Sequence, residues 1–327
     1  MPPSLHVSIE RWPLAEAFTI SRGSKTEAEV VVAEITDGQW RGRGECVPYP
    51  RYGESPAGVA ALIASLSTAV ANGLDRAGLQ AALPAGAARN ALDCALWDLE
   101  AKRSGRPVHA IAQLPPPRPA ITAYTISLGA PEAMAQAAAR VAHRRLLKVK
   151  LGAPGDAERI AAVRKAAPAA DLIVDANEGW TADNLTDNLA ACAAAGVKLV
   201  EQPLPAGHDD ALRSIARPLS ICADESVHTR DSLAALAGKY DAINIKLDKA
   251  GGLTEALTLL VEAERLGLSV MVGCMVSTSL AVAPALLLAG HAQFVDLDGP
   301  LLLARDRPDG LRYHDSVVQP STRALWG

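Results

Sequence analysis

The chain has little aromatic content: Phe, Trp and Tyr make up 4% of its 327 residues. Any core it builds must be filled by aliphatic side chains, and Ala, Leu and Val supply them within a hydrophobic fraction of 49%. Strong charge of either sign is lacking. A formal net charge of −4 offers no footprint for nucleic acid or an anionic membrane, so neither is expected as a partner. No apolar run reaches the roughly 20 residues of a membrane span. The start, Met1-Pro2-Pro3-Ser4-Leu5-His6, alternates as a strand does, so no leader peptide is expected. Five scattered cysteines (Cys46, Cys94, Cys192, Cys222, Cys274) contain no CxxC pair. That argues against disulfide and zinc frameworks and for buried thiols in a reducing cytosol.

What is present is a change of rhythm. Residues 1–115 mix strand and helix signals, an α+β segment. Val30-Val31-Val32-Ala33-Glu34-Ile35-Thr36 followed by Asp37-Gly38 predicts a strand running into a hairpin turn. Ala57 to Ala71 and Ala87 to Ser104 predict helices, and in the second Ala91, Leu92, Ala95, Leu96 and Leu99 recur at helical spacing. Leu114-Pro115-Pro116-Pro117-Arg118-Pro119 reads as a stiff linker. Over residues 116–304 strand and helix then alternate. Candidate strands cover 121–128, 146–151, 171–176, 198–202, 219–224, 242–247, 268–273 and 293–298, with helix formers at 157–167, 183–195, 232–237 and 254–266. Eight such α/β units in series favour a closed parallel barrel over an open sheet. Residues 305–327, including Gly310-Leu311-Arg312-Tyr313-His314, are expected to return as a strand to the first domain.

Isolated charges stand at the ends of these strands. They are Lys148 and Lys150, then Asp175, Glu201 and Asp224, then Lys246. In a parallel barrel such ends converge on one mouth. Side-chain alternation gives Lys148 and Lys150 one face, and Asn244, Lys246 and Asp248 one face, both inward if the apolar residues meet the helices. A single strand-end lysine can snorkel to solvent, and a single acid can cap a helix. The set means more than its members. Three acids on consecutive strands fit a hard cation, Mg²⁺, that keeps positions open for substrate oxygens, and no histidine accompanies them to suggest zinc. Asn177 and Glu225 lie beside these acids and can orient them. A lysine on either side can reach one carbon from opposite faces. The chemistry this describes is proton transfer next to a carboxylate, where a metal stabilises the two oxygens that become negative. Such a base must be neutral part of the time near pH 7, and Lys148 is expected to press the pKa of Lys150 down.

The motif series, Lys148-Val149-Lys150, Asp175-Ala176-Asn177, Glu201-Gln202-Pro203, Ala223-Asp224-Glu225-Ser226 and Asn244 to Gly252, resembles the muconate-lactonizing subgroup of the enolase superfamily. The helix from Asn90 to Leu99 resembles that family's capping-domain helix. A lysine or histidine base with one or two Mg²⁺ ions is a known pattern of that superfamily. The resemblance implies a (β/α)₇β TIM-like barrel with an N-terminal α+β capping domain. It implies Mg²⁺ on Asp175, Glu201 and Asp224, and Lys150 and Lys246 as bases. Asp296-Leu297-Asp298-Gly299-Pro300 puts Asp296 and Asp298 on one strand face and resembles the dipeptide epimerases, where such a pair holds a free ammonium. Ile20-Ser21-Arg22-Gly23-Ser24-Lys25 resembles the loop that covers the substrate, and there Arg22 would suit a distal carboxylate, as in epimerases for Ala-Glu that handle cell-wall peptides. The expectation is a cytoplasmic, homo-oligomeric isomerase acting on a small dipeptide in peptidoglycan recycling. Cycloisomerase, o-succinylbenzoate synthase and N-acylamino acid racemase are the alternatives on this scaffold, but their substrates bring no ammonium to the eighth strand.

Overall fold

The computed structural model describes residues 2–327. Its first part is an antiparallel sheet of β1 (Ser4–Ile20), β2 (Gly23–Asp37) and β3 (Trp40–Cys46), in that order. The predicted hairpin turns at Gly38, whose φ of +60° suits glycine. Four helices follow: α1 (Pro56–Ala64), α2 (Ser67–Ala71), α3 (Arg76–Ala82) and α4 (Ala87–Ser104). The single helix expected over 57–71 is two. The hydroxyls of Ser65 and Ser67 donate to the carbonyls of Leu62 and Ala64, a local competition that interrupts helices. α4 lies against β3 at close range. A Cβ on Gly42 or Gly44 would collide with the backbone of Ala95 or Ala91, so these positions are glycine for space. Val31, Ala33, Ile35, Ile63, Leu79, Leu92 and Ala95 form the core of this part.

After α5 (Val108–Ile111) and the short β4 (Ala120–Ile121), the chain builds a parallel eight-stranded sheet. The strands are β5 (Tyr124–Ile126), β6 (Leu146–Lys150), β7 (Asp171–Asp175), β8 (Val197–Glu201), β9 (Ser220–Ala223), β10 (Ala242–Ile245), β11 (Ser269–Gly273) and β12 (Phe294–Asp296), paired in chain order. A bridge between Thr122 and Val295 completes the ring, with the Ala123 amide donating to the Val295 carbonyl at 2.8 Å. The outer layer holds α6 (Pro131–Arg140), α7 (Asp156–Ala166), α8 (Ala182–Ala194), α9 (Leu233–Leu236), α10 (Leu247–Ala250), α11 (Leu253–Arg265) and α12 (Ser279–Ala285). A 3₁₀ turn at Asp210–Arg213 takes the place of a covering α-helix between β8 and β9.

The ring interior has two layers. Leu146, Ile173, Leu199, Cys222, Ala242 and Met271 fill the lower one. Two residues further along each strand, on the same face, come Lys148, Asp175, Glu201, Asp224, Asn244 and Gly273. Apolar side chains thus plug the barrel and charged ones line its mouth. Gly273 makes room, since a Cβ there would lie 2.6 Å from Asn244 Oδ1.

Two expectations are corrected. The tail strands β13 (Tyr313–His314) and β14 (Val317–Val318) form a hairpin that pairs with β4, not with the N-terminal sheet. Other residues of the tail do reach that part: Arg307 donates to Glu10 and Glu45 at 2.8 and 2.6 Å, the Trp326 indole to the Cys94 carbonyl at 3.0 Å and the Gly327 amide to Asp98 at 2.8 Å. Asp248 does not continue the inward face of β10, because the chain turns into α10 directly after Lys246. Its buried carboxylate instead accepts the Val47 amide at 3.0 Å and Asn90 Nδ2 at 2.8 Å. It therefore ties α10 to β3 and α4.

Burial, reinforced by the charges of Glu54 and Glu45, raises the Asp248 carboxyl to about 7. The folded chain then keeps a proton that the unfolded chain loses. The stability this contributes is complete below the ordinary carboxyl range and is lost as pH rises from about 4 through about 7. Asp248→Asn cannot ionise, so urea denaturation should show the stability difference moving in the variant's favour between pH 4 and pH 7. A difference that stays constant over that window would contradict the shift.

Candidate active site

The mouth of the barrel gathers the predicted lysines and acids into one buried cluster. The Lys148 ammonium lies 2.7 Å from Asp296 Oδ2, 2.6 Å from Glu201 Oε2 and 3.2 Å from Asp175 Oδ2. Lys150 meets Asp175 Oδ2 at 2.6 Å. Lys246 meets Asp224 Oδ2 at 2.7 Å and Glu201 Oε1 at 3.7 Å. β6, which carries Lys150, and β10, which Lys246 follows, have three strands between them on either side of the ring. The two lysines therefore face each other across the mouth, and Asp175, Glu201 and Asp224 come from the three strands between.

Each carboxylate is oriented by a neighbour. Asn177, with φ of +43°, turns its amide and side chain back on Asp175 at 2.9 and 3.1 Å. Asn244 Nδ2 donates to Glu201 Oε1 at 2.6 Å. Gln202 Oε1 accepts the amides of Asp224 and Ser226 at 2.9 and 3.1 Å, fixing the turn that presents Asp224. Lys249 donates to Asp224 Oδ1 and to the carbonyls of Asp224 and Asn244 at 2.5, 2.5 and 3.0 Å. Glu225 is bound to Arg22 at 2.7 Å.

The charges shift one another. Burial opposes ionisation of Asp224, but Lys246, Lys249 and Lys148 outweigh it and hold the carboxyl well below its ordinary range. Lys150, Lys148 and Lys246 likewise outweigh burial at Asp175. Glu201 goes the other way: burial and the charge of Asp175 raise it to about 7. Burial opposes the charge on Lys148 and Lys246, yet the acids around them push both ammonium groups up. Lys148 is thus neutralised by three carboxylates, which removes the uncompensated cation expected to act on Lys150.

Asp175, Glu201 and Asp224 each offer an oxygen within 4.8 Å of the others. The donors are all carboxylates. The buried Oε2 of Glu201, although 2.6 Å from Lys148, makes no aligned hydrogen bond. The set fits a hard cation. Above it opens a cavity of about 660 Å³, lined among others by Phe18, Arg22, Lys25, Lys150, Lys246 and Asp298, a size suited to a small molecule. Asp298 Oδ2 accepts the Thr125 amide at 2.7 Å, and burial with the nearby Asp296 raises its carboxyl to about 7. Asp296 Oδ1 is buried with no partner. Arg22 is less available than expected. Its Nη1 donates to the Asn177 carbonyl and Glu178 at 2.9 and 3.1 Å, its Nη2 to Tyr49 and Glu225 at 3.0 and 2.7 Å.

Residues 132–324 match the family model described as enolase C-terminal domain-like, and residues 4–112 match the mandelate racemase/muconate lactonizing enzyme N-terminal domain. The chain belongs to this branch of the enolase superfamily. It is 51% identical to the L-Ala-D/L-Glu epimerase of Escherichia coli (strain K12) over 93% of its own length and 95% of the relative's. It is 45% identical to an N-acetyl-D-glutamate racemase of a Pseudoalteromonas species, over 91% and 95%. An enolase family member from Agrobacterium tumefaciens, solved with sodium and L-Ala-L-Glu, is 55% identical with a TM-score of 0.98 over 100% of both chains. The dipeptide epimerase of Enterococcus faecalis V583, solved with Mg and L-Leu-L-Tyr, is 28% identical with a TM-score of 0.91 over 98% of each. The expected capped barrel is therefore the family's. No helix among the described residues is long and apolar enough to cross a membrane.

Lys249 and Gln202 escaped prediction. Lys249 lies one helical turn past Lys246, so only the early start of α10 brings it back to Asp224. Gln202 sits in the strand-end motif, but its φ of +33°, which aims it at the next strand, has no sequence signal.

The acids should separate by their partners. Glu201→Gln and Asp224→Asn should each weaken Mg²⁺ binding, read by titration calorimetry, by at least about 10-fold. Without metal, Asp224→Asn should melt well below Glu201→Gln, because it strands Lys246 and Lys249 in a buried site. Equal melting in chelator, or unchanged Mg²⁺ affinity in both, contradicts this assignment.

Proposed function

We propose that the protein epimerises the C-terminal residue of a dipeptide of the L-Ala-D/L-Glu type, with Mg²⁺ held by Asp175, Glu201 and Asp224. The observation that carries this reading is the placement of Lys150 and Lys246 across the mouth from each other, with the three acids between them. When bound, the cation supplies positive charge to the substrate carboxylate as the α-carbon loses its proton. One lysine enters neutral and removes that proton from one face. The other enters as ammonium and delivers its own proton to the opposite face, so each turnover exchanges their states. The acids that now hold Lys246 charged are the same groups that would hold the cation, so metal binding and base availability are linked through them. Lys148, fixed by Asp296, adds a cation beside the reacting carboxylate.

Asp296 and Asp298 are proposed to receive the substrate's ammonium. The partnerless Oδ1 of Asp296 and the raised carboxyl of Asp298 both improve when a cation arrives. Arg22 is proposed to hold its loop over the cavity through Glu225 and Glu178. Similarity to an N-acetyl-D-glutamate racemase supports a second reading, racemisation of an N-acylated amino acid, whose neutral amide would bring no cation to Asp296 Oδ1, the one oxygen of the pair without a partner. Incubation of Ala-Glu, Ala-Leu and N-acetyl-glutamate with enzyme and Mg²⁺ in D₂O, read by mass spectrometry, tests both. Deuterium should enter the dipeptides' second residue fastest, and preference for N-acetyl-glutamate would favour the racemase.

Lys150→Ala and Lys246→Ala should each slow epimerisation by about 10²- to 10⁴-fold. Each variant should still exchange the α-proton of the one diastereomer whose proton faces the remaining lysine, seen by NMR in D₂O. Either variant epimerising at the parent rate would refute the two-base scheme.

A further inference from the structure

Behind Asp224 lies a buried polar chain whose outer members, Asp209, Lys239 and Tyr240, do not line the cavity. It is built on the unit that lacks a covering α-helix. The loop after β8 places Asp209 directly before the 3₁₀ turn Asp210–Arg213. Lys239 donates to Asp209 Oδ1 at 2.6 Å, and the hydroxyls of Tyr240 and Ser226 both donate to Oδ2, at 2.6 and 2.8 Å. Burial opposes ionisation of Asp209, but these three donors outweigh it and hold the carboxyl below its ordinary range. An ionised carboxylate only accepts, so both hydroxyls direct their hydrogens at it and keep lone pairs for the next group. That group is Gln202. Its Nε2 lies 2.9 Å from each hydroxyl oxygen and 2.8 Å from the Leu204 carbonyl.

We infer that Asp209, Ser226 and Tyr240 are positioning residues that fix the Gln202 amide and, through it, the turn that carries Asp224 to the metal. This deepens the proposed metal role of Asp224 and rests on it. A glutamine amide has nearly the same shape either way round. Here the reversed form would set Nε2 against two donors, the amides of Asp224 and Ser226, now 2.9 and 3.1 Å from Oε1. It would also set Oε1 against the Leu204 carbonyl and two hydroxyls whose hydrogens Asp209 already holds. The chain therefore leaves Gln202 one orientation, with Oε1 toward the turn. That turn needs outside support, because its own closing bond, from the Val227 amide to the Asp224 carbonyl, is long at 3.2 Å. Partners of this kind keep a ligand oriented before the cation arrives.

Titration calorimetry with Mg²⁺, at a temperature where every protein is folded, tests this. Gln202→Met should weaken Mg²⁺ binding by about 10- to 100-fold and Tyr240→Phe by about 10-fold, the range for partners that orient ligands. In the Gln202→Met background, Tyr240→Phe should cause no further loss, because the amide it acts through is gone. Ile63→Val, in the core of the N-terminal part, lowers Tm by leaving space in a packed core and should bind Mg²⁺ as the parent does, which separates positioning from stability. Parent affinity in Tyr240→Phe, an equal loss in both backgrounds, or the same loss in Ile63→Val would overturn the inference while leaving the metal assignment intact. Undiminished Mg²⁺ binding by Asp224→Asn, or none by the parent, would remove that assignment and this inference with it.

Discussion

The structure depends on charge matching at the mouth of a barrel whose floor is dry. Asp175, Glu201, Asp224 and Asp296 are buried there with Lys148, Lys150, Lys246 and Lys249. Isolated, any one of these ions would destabilise the fold by several kcal/mol or lose its charge. They persist because each finds opposite charge within hydrogen-bonding distance. The apolar layer beneath, from Leu146 to Met271, keeps water from approaching from below and strengthens every interaction above it. Asp175, Asp224 and Glu201 are moved away from ordinary carboxyl behaviour, the first two downward by the lysines, which outweigh burial, and Glu201 upward by burial and the charge of Asp175. Matching also sets the starting point: against burial, the acids around Lys148 and Lys246 push both ammonium groups up.

The N-terminal part is fastened to this mouth by polar contacts as well as by packing. Arg89 donates to the carbonyls of Gly251 and Ala250 at 3.1 and 2.8 Å, and Asp93 accepts from the amide and hydroxyl of Thr254 at 2.9 and 2.6 Å. With Asp248, these bonds join α4 to the segment just after Lys246. The loop between β1 and β2 is fastened separately, through Arg22 and through Ser21, which donates to the Asn177 carbonyl at 2.9 Å.

Alternation made the barrel and its charged face legible from the chain. Each strand core is a short aliphatic run, so Asp175, Glu201 and Asp224 could be placed at the ends of three consecutive strands, and parity put Lys148 and Lys150 on one inward face. Parity failed where the backbone left the strand. Asp248 follows Lys246 by two residues, but the intervening turn into α10 sends it to Val47 and Asn90. The split between α1 and α2 depends on two serine hydroxyls whose hydrogen bonds have no periodic signature. The pairing of Arg22 was hidden for another reason: its acids, Glu178 and Glu225, lie more than 150 residues away in the chain. Nothing local distinguishes an arginine that is already neutralised from one that is not.

The turn between β1 and β2 stands apart from the barrel in one further respect. Residues 20–25 contribute no oxygen to the carboxylate triad; they touch the barrel through Ser21 and Arg22, which donate to the Asn177 carbonyl at 2.9 Å, and Thr19 beside them accepts the Leu128 amide at 2.9 Å. Mutations there reach the carboxylate triad only through Asn177 and Glu225, the partners of Ser21 and Arg22. Under the proposed function, selectivity and chemistry therefore sit on separate elements: the edge of the N-terminal sheet would be rewritten for a new substrate while the triad stays as it is. A change at the mouth is different, because every ion there has a partner and the two must change together.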